Sequence, residues 1–135
     1  MRTSLGLLAI AAFGVVCAAP LLAHHAFAAE YDATKPVTVK GVVTKIEWTN
    51  PHARFYVDGT DEKGTKAEWN FELASVNSLV RHGWTRKALN PGDQVTVKGF
   101  LARSSASNTK ANATEVLFPD GRTVFAGSAQ AGDPQ

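Results

Sequence analysis

The stretch Val37–His52, VTVKGVVTKIEWTNPH, decides how this chain folds. A strand turns successive side chains to opposite faces, so its apolar residues recur at every second position. Val37, Val39 and Gly41 share one face, and Thr38 and Lys40 take the other. Past the doublet Val42-Val43 the larger apolar residues, Ile46 and Trp48, stand at even positions, so the apolar face has changed sides. A change of face at a glycine predicts a bulge or sharp coil, where the strand leaves one sheet surface for another. Thr49-Asn50-Pro51-His52 closes the stretch, and its Asn-Pro pair starts a bend.

Downstream, Ala53–Asp58 alternates with Phe55 and Val57 on one face, and the polar loop 59–66 with its Gly64 predicts a hairpin. Lys66–Leu73 alternates most cleanly. Ala67, Trp69, Phe71 and Leu73 point inward, and Lys66, Glu68, Asn70 and Glu72 point to solvent. At Ser75–His82 the period changes: Val76, Leu79 and Val80 stand at i, i+3 and i+4, Ser75 can cap the start and Gly83 the end. This predicts a short helix. After the turn Asn90-Pro91-Gly92-Asp93, a strand over Gln94–Arg103 repeats a phrase of the first: Val95-Thr96-Val97-Lys98-Gly99 matches Val37-Thr38-Val39-Lys40-Gly41. The flanks do not match as tandem repeats should, so two neighbouring strands bent at glycines are the better reading. Ala113–Phe118, a tight turn at Pro119–Arg122 and a return strand over Thr123–Ala126 complete the domain.

Three strands, a short helix and then further strands is the order of an oligonucleotide/oligosaccharide-binding (OB) barrel. The expected fold is therefore all-β: a small OB-like five-stranded barrel with one short helix between the third and fourth strands. An open meander sheet with one helix is the competitor.

The chain of 135 residues suffices for one domain. Arg2, the uncharged apolar run 5–19 and Pro20 ahead of small residues read as a secretory signal peptide. The expected organisation is a cleaved signal at 1–23, an extended arm at 24–36, the barrel at 37–126 and a tail at 127–135. Cutting after Ala23 makes His24 the first residue, whereas cutting after Ala28 removes both neighbouring histidines. Pro20 lies close before the first site and favours it. The only cysteine, Cys17, leaves with the signal, and Val16 before it does not suit a lipoprotein signal. Arg2 is the only charged group lost, which takes Lys plus Arg from 14 to 13 against 12 acids. The expected location is periplasmic or secreted, with no membrane segment after signal removal. Near-neutral, interspersed charge excludes the basic stripe of a nucleic-acid binder.

Chemistry-bearing residues are few. A terminal histidine offers its amine and a ring nitrogen to one metal ion, and a neighbouring histidine adds a second ring. His24 and His25, completed by His52 if the arm folds back, form a thiolate-free nitrogen set suited to Cu(II), ahead of Zn(II) and Ni(II). His82, beside Gly83 at the helix end, reads as a helix-terminus residue. Among the aromatics Trp69 belongs to the core and Trp48 can share it. Trp84, in the loop after the helix, is the candidate for ligand stacking, or else a plug at the barrel end. No nucleophile elbow, HExxH or phosphate loop is present. Glu68 and Glu72 read as ordinary solvated charges, so no enzyme is expected.

HHAFAAEYD at 24–32, KGVVTKIEWTNPH at 40–52, WNFEL at 69–73, RHGWTR at 81–86, NPGDQVTVKG at 90–99 and FPDGR at 118–122 resemble the domain of unknown function 6152 family of small exported bacterial proteins. The resemblance implies that His24-His25 opens the domain and that His52 belongs to its Trp-Thr-Asn-Pro-His phrase. It implies no activity. The expected function is an exported, non-enzymatic β-barrel module binding a small ligand or metal ion, with Cu(II) bound through the N-terminal histidine pair as its sharper form. The second expectation is a cell-envelope protein-interaction or structural module with no metal.

Overall fold

The computed structural model describes residues 29–104, 106 and 108–125. The expected signal peptide, His24, His25 and the tail lie outside these residues. Six strands and one helix follow in order: β1 (Tyr31–Glu47), β2 (Arg54–Asp61), β3 (Lys66–Glu72), α1 (Val76–Arg81), β4 (Gln94–Ala102), β5 (Lys110–Leu117) and β6 (Thr123–Phe125). Ser75 caps α1 by accepting from the Ser78 amide at 3.2 Å, and Gly83 beyond it takes φ +87°. No helix among the described residues is long and apolar enough to cross a membrane.

The strands form one sheet in the order β3-β2-β1-β4-β5-β6, and β3 also pairs in parallel with β5. Pairing therefore runs in a cycle through β1, β2, β3, β5 and β4. The five strands of that cycle are not disposed evenly round an axis, and an all-β sheet with one short helix is the description that holds. The short β6 is the expected return strand, which pairs with β5 outside the cycle of five.

The repeated phrase explains itself in the pairing of β1 with β4. Val39 lies opposite Val97, and on either side Val37 faces Gly99 and Gly41 faces Val95. The two copies thus pair antiparallel about their central valines, each setting a bulky residue against the other's glycine. They are neighbours, as expected.

The bulge expected in β1 is present, but at Thr44 and not at the glycine. Its pairing with β2 slips between Val43 and Lys45, so Thr44 is the extra residue of a β-bulge. Val37, Val39 and Val43 are buried before it, and Ile46 and Trp48 pack on the core after it. Gly41 serves close approach instead: a Cβ there would stand 2.2 Å from the Asp58 carbonyl oxygen. A second bulge leaves Thr114 of β5 unpaired between Lys98↔Glu115 and Gly99↔Ala113.

Inside the sheet, Phe55 stacks on Phe71 at 5.4 Å and Trp69 on Phe71 at 6.5 Å. Trp69 Nε1 donates to the Gly59 carbonyl at 3.2 Å, satisfying its polar edge within the core. The residues expected as the end of an extended arm are part of β1. Tyr31 pairs with Ala102 and Pro36 with Phe100, and the register slips between them, so 32–35 have no partner in β4.

Candidate functional site

Sheet alternation sorts β3 into two faces. Trp69 and Phe71 enter the core, so Asn70 and Glu72 lie on the opposite face. Glu72, expected in solvent, is only 7% exposed. Its register neighbours are Arg54 on β2 and Asn112 on β5. Tyr31, 2% exposed, forms a small second cluster with Ala102 and the partly buried Phe100. The start of β1 therefore adds a cover to a face that strand alternation alone leaves wet.

A buried carboxylate needs partners to remain charged. Arg54 Nη2 donates to Glu72 Oε2, and Arg54 Nη1 reaches Asn70 Oδ1 at 3.3 Å. On its other oxygen, Glu72 Oε1 lies 2.9 Å from His52 Nδ1. An ionised carboxylate only accepts hydrogen bonds, so Nδ1 carries the proton in this contact. In the neutral imidazole Nε2 is then the lone-pair nitrogen, on a side chain 45% exposed. The cis Asn50-Pro51 bond lies just ahead of His52 in the loop, and Asn50 Oδ1 accepts from the Val76 amide at 3.2 Å. The loop is thereby tied to the helix start. A histidine held through one nitrogen by a carboxylate is the arrangement that orients a metal-binding imidazole.

Tyr31 is coupled to the same carboxylate. Burial, then the negative charges of Glu72 and Glu30, push its phenol well above the ordinary 10.0, against a smaller pull from Arg54. Lys110 Nζ also faces its ring, 5.8 Å from the centroid. The folded value is raised, so this contribution to stability is fully present below the unfolded value and is lost as pH rises past about 10 toward the folded value. Alkaline unfolding monitored by circular dichroism should show this component in the native protein, and Tyr31→Phe should lack it. Equal alkaline losses in both proteins would refute the coupling.

Of the expected site residues, only His52 and Trp84 are described. His52 stands beside Glu72. Trp84 is 5% exposed and stacks on Trp48 at 6.4 Å between ring centroids, so it lies in the core and not on an open stacking surface. His82 caps α1, with Nδ1 2.8 Å from the Ser78 carbonyl oxygen. Among the described residues no group of three or more His, Cys, Asp or Glu side chains could hold a metal ion. Glu72 and Tyr31 were not legible as site residues. The nearest signal was a glutamate placed at the end of the most cleanly alternating strand.

The model of a family of unknown function, DUF6152, matches residues 12–111, most of the chain. This chain belongs to that family. The DUF6152 match takes in His24, His25, Tyr31, His52 and Glu72, and ends before FPDGR at 118–122. No curated protein and no solved structure matches the chain.

Proposed function

We propose that this DUF6152 protein is an exported, non-enzymatic module of the periplasm or extracellular space that binds a small ligand or metal ion. We read its five-strand pairing cycle, with the helix between β3 and β4, as an OB-like barrel. In the sharper form, His24, His25 and His52 bind Cu(II), with the arm supplying the terminal amine and two imidazoles.

One observation carries this reading: buried Glu72 holds Nδ1 of a half-exposed His52 and so leaves Nε2 as donor. The chain also leads directly into this region, because Tyr31 lies beside Glu72.

Copper titration of the mature protein beginning at His24 should give a Kd below about 1 µM. His52→Ala, or one extra residue ahead of His24, should weaken it at least about tenfold. Absence of binding heat, or equal affinity in all three proteins, sinks the copper reading. Amino-terminal sequencing of the exported protein tests its premise, since Ala29 as first residue would remove the histidine pair.

The second reading is an envelope interaction module without metal. It draws on β6, which ends the sheet order and has no strand partner on its outer side among the described residues. Specific pull-down of an envelope protein by the histidine-substituted, metal-free form would favour it.

A further inference from the structure

His52 and Arg54 stand either side of buried Ala53 and reach the same carboxylate, one to each oxygen of Glu72. The backbone between them is fastened to the end of β3. The Ala53 amide donates to the Ala74 carbonyl at 3.1 Å, and the Ala53 carbonyl accepts from the Leu73 amide at 2.8 Å. Main-chain pairing thus places the His52 side chain beside Glu72, and what remains to be set is the state of its ring. Arg54 lies directly opposite Glu72 in the pairing of β2 with β3. Its guanidinium is planar, with donors in a fixed fork. Nη2 meets Glu72 Oε2, and Nη1 meets Asn70 Oδ1 at 3.3 Å. Asn70 is itself anchored: its amide donates to the Thr109 carbonyl at 2.9 Å, and it pairs with Lys110 where β3 meets β5. The fork therefore spans two residues of one strand that β5 holds from the other side. Glu72 Oε1 is left to His52 Nδ1, at 2.9 Å.

We propose that Arg54 is a positioning residue: braced on Asn70, it fixes the plane of the Glu72 carboxylate and through it the tautomer of His52. The last torsion of a glutamate is broad and roughly two-fold, so a carboxylate alone does not keep one oxygen in one place. Arg54 on Oε2 stops that rotation and keeps Oε1 aimed at Nδ1. The proton then stays on Nδ1, and the lone pair of the neutral ring stays on Nε2. With the fork removed, the carboxylate turns, water competes for Nδ1 on the half-exposed ring, and both tautomers open. Charge by itself does not replace the fork, because a lysine ammonium is a point charge that cannot hold two acceptors in one plane. The order of His52 thus traces back to the junction of β3 with β5. The proposal deepens the reading of His52 as a metal ligand, and rests on that reading only for what the ring is positioned to do.

The test uses isotopically labelled, metal-free mature protein. Long-range proton–nitrogen correlation, recorded with the ring neutral, reads the His52 tautomer directly. Stability does not enter this readout, so a merely structural arginine would leave it unchanged. The native protein should show the Nδ1–H tautomer alone. Arg54→Lys keeps the charge and most of the stem, and should bring in the Nε2–H tautomer as a second population. Asn70→Ala removes only the brace; it should give the same mixture more weakly, and stands in if Arg54→Lys does not fold. Where half the rings carry the wrong tautomer, copper affinity should fall only about twofold, far less than for His52→Ala. A pure Nδ1–H tautomer in both variants overturns the proposal whatever copper does, and so does a mixture already present in the native protein. Conversely, a native protein that binds no copper, with mixed tautomers in the variants alone, removes the copper reading and leaves the role of Arg54 standing.

Discussion

Gly99→Ala should leave the protein largely unfolded. A Cβ on Gly99 would lie 1.8 Å from the Asn112 carbonyl oxygen and 2.9 Å from its carbon. Those atoms are backbone of the paired strand β5, held in register on both sides of the Thr114 bulge, so they cannot swing aside as a side chain would. Phe100 beside the glycine depends on the same local geometry, since its amide donates to Asn112 Oδ1 at 3.1 Å. Separation of β4 from β5 would also disturb the Val37↔Gly99 pairing on the other edge. The expected cost is at least about 4 kcal/mol, close to the whole stability of a small domain. Gly64→Ala is the contrast. Its φ of +87° disfavours alanine but nothing lies within 4 Å of the added carbon, so the loss should be only about 1 kcal/mol. Urea unfolding followed by tryptophan fluorescence measures both, and a loss below about 1 kcal/mol for Gly99→Ala would refute the close-approach account.

Glu72→Ala should cost about 2–3 kcal/mol and release His52 together. The loss is not mainly that of an attractive pair. Arg54 keeps its Asn70 contact but loses the acceptor of Nη2, and it remains half-buried and charged. His52 loses the group that fixes Nδ1. Glu72→Gln keeps volume and acceptor oxygen and should cost nearer 1 kcal/mol, while still unlocking the tautomer because the amide can also donate. If the cluster acts as a unit, Arg54→Ala combined with Glu72→Ala should cost less than the two separate losses together. Strict additivity by chemical denaturation would show that Glu72 is not its centre.

These two sites differ in how much of them could be read before the structure. The twin phrases ending in Gly41 and Gly99 announced two related strands with special backbone needs, and the pairing bears that out. Which need it was could not be read: an apolar pattern reports a change of face but not the residue that causes it. The bulge sits at Thr44, and each glycine answers to crowding by the backbone of the strand that follows it in the chain. Trp84 posed the same difficulty, since its loop position was plain but its stack against Trp48 depends on how the helix end folds back.

By itself, the sequence determined the all-β character, the inward faces of β1 to β3, the helix with its Ser75 cap, and the neighbouring pair of bent strands. These follow from local periodicity and capping chemistry, which act over a few residues. Only the tertiary structure decided that Glu72 is buried. The period of two assigns it correctly to the face away from Trp69 and Phe71, but no period tells whether that face is covered. Tyr31 covers it from the start of β1 and Asn112 flanks it from β5, contacts between residues far apart in the chain. That cover turns an ordinary strand glutamate into the group that sets His52.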